Sequence, residues 1–179
     1  MPGQLRHIAK AGGVPRIVYI VLAAGSLTRE GFTTVFDPVD GRSPLSRVAE
    51  ALGEREALVV VPPECIDLSC GQAPLALTIV NDQPDRGLSY SLKVALAAIP
   101  EDRDFAILFG DLHVDAKMLD RLEKAFSSET DIVYPIGGMS EYPMLLSPAA
   151  RSAVKALADG DTVEDLLDST TLRRLGVDV

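Results

Sequence analysis

Cysteine and histidine are scarce in this chain. Among 179 residues only Cys65, Cys70, His7 and His113 carry a thiol or an imidazole. The C-x4-C spacing has no companion ligands, so it is poor evidence for zinc. The two cysteines fall in an expected irregular stretch and read as reduced thiols; a disulfide between them would need an oxidising compartment. A basic excess is missing as well. The formal net charge is −9 and the pI about 4.7, which argues against nucleic-acid binding through phosphate neutralisation. It does not exclude a nucleotide, because a site can be locally cationic or use a metal. No apolar run is long enough to span a membrane. Met1 to Lys10 is polar and the run after it is a core strand, so there is no signal peptide and the expected location is cytoplasmic. The chain also lacks a G-x-G-x-x-G after its first strand, a P-loop and a nucleophile elbow. A Ser-His-Asp triad would have to recruit His7 or His113, and nothing argues for an activated cysteine.

What is present points to one domain with a substantial core. Hydrophobic residues make up 47% of the chain and mean hydropathy is slightly positive, which fits a compact fold rather than disorder. Residues 1–14 show no clear period and read as an N-terminal extension; residues 15–179 read as the domain. Apolar strands are expected at about 16–23, 57–61, 75–80, 105–109, 132–135 and 144–146. Helices are expected at about 44–52, 89–99, 115–126, 148–158 and 163–167, and a short strand within 172–179. Ser43-Pro44 supplies an N-cap and a first-turn proline, and Gly53 a stop. Strands alternating with amphipathic helices imply an α/β fold: a mostly parallel, Rossmann-like, doubly wound sheet in a single three-layer domain.

Ligands of such sheets bind beyond the carboxyl ends of the strands, near the topological switch point. Three stretches reach that edge. The run Ile17 to Leu22 flows into Ala23-Ala24-Gly25, where backbone N–H groups can approach a phosphate and Arg29 can add charge; the alternative is an ordinary strand and turn. Asp111 follows the strand 105–109 with only Gly110 between. A lone carboxylate there suits Mg²⁺, which takes one or two carboxylates plus substrate phosphates, although an N-cap or turn role fits as well. Asn81 to Lys93 is a polar loop whose Gly87-Leu88-Ser89 opens a helix. That terminus can receive an anion, or its serines can serve as plain caps.

Taken in order, these residues resemble the MobA/MocA-like nucleotidyltransferases, which act in molybdenum-cofactor biosynthesis and related nucleotide transfers. Leu22-Ala23-Ala24-Gly25 with Arg29 and Gly31 is similar to the family's signature loop, and Asp40-Gly41-Arg42-Ser43-Pro44-Leu45 to its "DGRPLL" turn. Asn81 with Gly87 to Leu92 resembles "N…GMSSSL", Asp111 sits where the family has its metal-binding Asp, and Tyr142 to Leu145 resembles "HPVLF". The resemblance implies an NTP, CTP or GTP, on Leu22, Ala23, Ala24 and Gly25, with Arg29 at the triphosphate. Asn81, Gly87 and Ser89 would line the base and acceptor region, and Asp111 would hold Mg²⁺. It implies attack of a phosphorylated cofactor or sugar-like acceptor on the α-phosphorus with release of pyrophosphate. The chain departs from the family in three places. Phe32 to Phe36 contains no lysine, Asp111-Leu112-His113 replaces Asp-Gln-Pro, and no Asp-x-Asp-Thr-Pro precedes Val177-Asp178-Val179. Lys93 and Arg42 are the candidate substitutes for the lysine. The alternative is a diverged homologue that binds a nucleotide or protein partner without transfer.

Overall fold

Val18-Tyr19-Ile20-Val21-Leu22 is buried along its whole length, as a strand covered on both faces must be. The computed structural model describes residues 17–24, 35–138, 140–159, 161–168 and 171–179. In it this strand, β1 (Val18–Leu22), is the third of seven in one sheet. It is followed by α1 (Pro44–Leu52), β2 (Ala57–Val61), α2 (Ile66–Gln72), β3 (Leu77–Val80), α3 (Leu88–Ala97) and β4 (Phe105–Phe109). Then come α4 (Ala116–Ala125), β5 (Ile132–Ile136), β6 (Met144–Leu146), α5 (Pro148–Ala156), a 3-10 turn at Glu164–Asp168 and β7 (Arg174–Asp178).

The sheet order is β3-β2-β1-β4-β6-β5-β7. After β3 the chain returns and places β4 on the far side of β1, so the switch point lies between β1 and β4, which pair in parallel from Val18 opposite Phe105 to Leu22 opposite Phe109. β6 is the single antiparallel member, paired with both β4 and β5, and β7 runs parallel to β5. The alternation of side chains sorts the core into two layers. Val18, Ile20, Leu58, Val60 and Ile107 pack with Leu92, Leu96, Ala150 and Val154 of α3 and α5. Tyr19, Val21, Val59 and Leu108 pack with Leu45, Val48, Leu119 and Leu122 of α1 and α4. The molecule is the expected three-layer, mostly parallel α/β sheet.

Several local expectations shift. Cys65 and Cys70 are not in an irregular stretch: Cys65 ends a 3-10 turn after Pro62-Pro63, and Cys70 lies in α2. That helix is short, contains Gly71 and buries only Ser69 of its own residues, so no apolar stripe betrays it in the sequence. Both thiols are free, Cys65 buried and Cys70 exposed. The third strand begins at Leu77 instead of Leu75, because Pro74 and Leu75 form a turn that leaves Leu75 76% exposed. The segment expected as a helix over 163–167 is a 3-10 turn at Glu164–Asp168. The proposed extension at 1–14 lies outside the described residues.

Candidate active site

Small residues let the carboxyl ends of β1 and β4 close together. The Gly110 amide donates to the Leu22 carbonyl at 2.9 Å. A Cβ placed on Gly110 would lie 3.3 Å from the Ala23 Cβ and 3.4 Å from Val35 Cγ1, tighter than packed carbons tolerate without a shift. Ala23 extends the ladder on its other side through its own amide to Val60 O at 2.9 Å. Leu22 and Ala23 are thereby brought against Gly110, with Ala24 and Asp111 the next residue on each chain. Residues 25–34 connect Ala24 to Val35, and Val35 packs at this same edge. Gly25 and Arg29 lie within that stretch, outside the described residues, as do Gly31 to Thr34.

Asp111 occupies a turn closed by Leu112 N to Phe109 O at 3.1 Å. The turn does not use its carboxylate, and neither does the next helix. The cap of α4 is Asp115, whose side chain accepts from Met118 N at 2.8 Å. Asp111 is exposed, and no described residue pairs with it. Among the described residues no group of three or more His, Cys, Asp or Glu could hold a metal by itself. A single free carboxylate fits a hard cation whose shell is completed by substrate phosphates and water.

The Asp40-Gly41 pair has positive φ at both positions, 54° and 80°, the backbone of a tight turn. Val39 and Arg42 bridge across it. The turn delivers Ser43 to α1, where its hydroxyl accepts from Ser46 N at 3.1 Å and donates to Gln72 Oε1 at 2.6 Å. Gln72 Nε2 in turn donates to Phe36 O at 3.0 Å, which ties the returning chain to α2.

On the other flank, Asn81 prolongs β3 by donating its amide to Val61 O at 2.8 Å. Its side chain is fully buried and spent internally. Oδ1 accepts from Gln83 N at 2.8 Å and Nδ2 donates to Ser91 Oγ at 2.9 Å. Asn81 therefore shapes the loop that leads to α3. Gly87 enters that helix with φ 82°, a conformation that favours glycine. No side chain caps the helix, so its first N–H groups are left for another partner. Ser89 does not serve as the cap. Buried, it donates to Asp159 Oδ1 at 3.2 Å, and Arg86 approaches the same carboxylate at 3.7 Å. The two candidate substitutes for the missing lysine are engaged elsewhere. Lys93 donates to Leu157 O at 3.0 Å and Arg42 pairs with Glu50 at 2.5 Å.

The sequence reading missed a cleft of about 560 Å³ beside the end of β4, lined by Phe109, Tyr134, Ser140, Glu141, Tyr142 and Glu164, with Pro135 to Gly138. The Phe109 and Tyr142 rings meet edge to face with centroids 4.7 Å apart. The Tyr142 hydroxyl donates to Glu164 Oε2 at 2.8 Å, after a cis peptide to Pro143. Burial, then the hydrogen bond to Glu164 and the charges of Glu164, Glu141 and Asp165, push the phenol well above its ordinary pKa. A second cavity of about 250 Å³ lies between α1, β2 and the segment before β3 and holds none of the candidate site residues.

The closure of β1 on β4, the Asp111 carboxylate and the α3 terminus without a side-chain cap all lie beyond the carboxyl ends of strands, where α/β sheets of this kind bind their ligands. The sequence matches the model of the MobA-like NTP transferase domain over residues 19–175, and the chain belongs to that family, which is one of nucleotidyltransferases. No curated protein matches it significantly. Solved structures share the fold at low identity. A nucleotidyl transferase from Methanothermobacter thermautotrophicus is 21% identical with a TM-score of 0.72, covering 94% of this chain and 88% of its own. The inositol-1-phosphate CTP transferase from T. maritima is 17% identical with a TM-score of 0.66, covering 93% and 86%. The Mycobacterium tuberculosis protein Rv0371c, solved as a complex with manganese, is 20% identical with a TM-score of 0.64, covering 91% and 89%.

Proposed function

We propose that the chain transfers a nucleotidyl group from an NTP, CTP or GTP, to a phosphorylated small molecule and releases pyrophosphate. The observation that carries this reading is the closure of Leu22-Ala23 onto Gly110, which sets a small-residue backbone edge beside the free Asp111 carboxylate. Leu22 to Gly25 present backbone to the phosphates, Arg29 supplies positive charge, and Gly87 with Ser89 opens the α3 terminus toward the nucleotide. Asn81 acts through its internal bonds, holding the loop in the shape that exposes that terminus. Asp111 would hold Mg²⁺, which supplies charge neutralisation at the phosphates when bound.

In the transfer, an acceptor phosphate oxygen forms a bond to the α-phosphorus. The α–β bridging P–O bond breaks, and its electron pair leaves with pyrophosphate. The chain's own share is positioning and electrostatics, with no covalent intermediate on a side chain. Lys93 and Arg42 already bond Leu157 O and Glu50, so either would have to leave or share that partner to reach a phosphate.

The test is a pyrophosphate assay over four NTPs with Mg²⁺ and a panel of phosphorylated acceptors, beside thermal-shift titrations of the same NTPs. Transfer is expected with CTP or GTP. The absence of a lysine from Phe32 to Phe36 favours a second reading, a diverged homologue that binds a nucleotide or protein partner without transfer. NTP-dependent shifts with no pyrophosphate from any acceptor would establish that reading instead.

A further inference from the structure

The cleft beside β4 has a chemical character of its own. Its walls carry Glu141 and Glu164, and no lysine or arginine lines it among the described residues. Neither carboxylate forms an ion pair with a described residue. Glu164 Oε2 takes the Tyr142 hydroxyl, which leaves its other oxygen for a ligand. Phe109, Tyr134 and Tyr142 add aromatic surface beside Pro135 to Gly138 and Ser140, and Tyr142 is only 3% exposed, locked by its amide to Ser140 Oγ and its hydroxyl to Glu164.

Two uncompensated carboxylates beside aromatic rings repel a phosphate and leave net charge beside a neutral polyol. They attract an ammonium group, which the carboxylates neutralise and the aromatic lining favours over a strongly hydrated ion. We propose that this cleft binds an ammonium group, primary or quaternary, at the end of the acceptor remote from its reacting phosphate. The assignment of that ligand as the acceptor rests on the nucleotidyltransferase reading. Phe109 lines the cleft and Asp111 stands two residues further along the same segment, so a bipolar acceptor would set its cation here and its phosphate toward Asp111. Glu141 and Glu164 are then specificity residues, discriminating against acceptors with a neutral or anionic tail.

The experiment is calorimetric titration of the full chain, without nucleotide and at low ionic strength, with choline chloride, ethanolamine hydrochloride and myo-inositol, against a sodium chloride control. Saturable binding of choline or ethanolamine is expected, and the stronger of the two reports whether the group is quaternary or primary. Glu164→Gln and Glu141→Gln should each weaken it roughly tenfold. Glutamine at 164 keeps an acceptor for Tyr142, and Glu141 is exposed, so Glu141→Gln remains informative if the first variant unfolds. Myo-inositol binding as tightly as the ammonium probes would overturn the proposal. So would no saturable heat from either ammonium probe, or undiminished binding in the variants. Separate titration with CTP and GTP distinguishes the two failures. Ammonium binding without any NTP binding would sink the transferase reading and leave the cleft assignment standing. Pyrophosphate formed with inositol phosphate as well by the variants as by the parent would do the reverse.

Discussion

Asp111 has no structural duty to lose. The turn around it closes through backbone atoms, Asp115 caps the following helix, and no described residue pairs with its carboxylate. Asp111→Asn should therefore leave the melting temperature within about 1–2 °C, the shift of a surface change near 0.5 kcal/mol. Pyrophosphate release should fall by about 10²–10³-fold, the usual cost of one preorganised transition-state contact. Undiminished turnover in the assay would remove Asp111 from the site. Its place just beyond β4 was legible because an apolar strand, one glycine and an acid form a local pattern. Asn81 was legible as a type but not as a role, since its amide is consumed by Gln83 and Ser91. Ser89 to Asp159 and Tyr142 to Glu164 join residues far apart in sequence. No local spacing encodes such pairs, and for this reason the acidic side of the cleft stayed hidden.

At the scale of elements, the ends of α3 are treated oppositely. Its N-terminus at Gly87 has no side-chain cap, whereas its C-terminal region is held by Arg151 of α5. The guanidinium donates to Leu96 O and Ile99 O at 3.1 Å and to Pro100 O at 2.7 Å, with its side chain only 3% exposed. Arg151→Met removes those charged donors and leaves Ile99 O without its partner, while Leu96 O and Pro100 O keep the Ile99 and Arg103 amides, so a loss of about 2–4 kcal/mol is expected. This corresponds to roughly 5–15 °C in a thermal melt; a smaller drop would mean that water or Lys155 replaces the donors.

The other edge of the sheet depends on Asp131. It accepts from the Arg173 backbone amide at 2.9 Å and from the Arg173 guanidinium at 3.0 Å, and it seats β7 beside β5. Those hydrogen bonds from Arg173 hold the Asp131 carboxyl well below the usual carboxylate range. A depressed folded-state pKa gives stability that is complete above the unfolded value of about 3.9 and is lost as the pH falls below it toward the folded value. In urea titrations across pH, the parent should exceed Asp131→Asn in stability by a constant margin above about pH 5. The margin should shrink steadily below about pH 4. A margin independent of pH would show that packing, not ionisation, makes the difference. Most elements were readable from pattern, since β1, β2 and β4 are continuous apolar runs and α1 and α4 carry an apolar stripe. α2 was not, because a seven-residue helix that buries Ser69 alone has no period to detect.

For the whole molecule, the formal net charge of −9 bears on how a nucleotide arrives. The doubly wound topology needs no charge of either sign, and it was legible from the alternation of apolar runs and amphipathic stretches. Function is different, because an acidic protein must admit an anionic substrate. Two like-charged partners repel at distances beyond contact, and salt screens that repulsion with a Debye length of about 30 Å at 0.01 M and about 8 Å at 0.15 M. Contacts inside the site are screened much less. The association rate of the Mg²⁺ complex of the preferred NTP should therefore rise severalfold as monovalent salt increases from about 10 to 150 mM, while the dissociation rate changes little. Stopped-flow binding with a fluorescent NTP analogue at several salt concentrations measures both. A rate that falls with salt would mean that local cations steer the nucleotide despite the net charge, and Arg29→Ala should then abolish that fall.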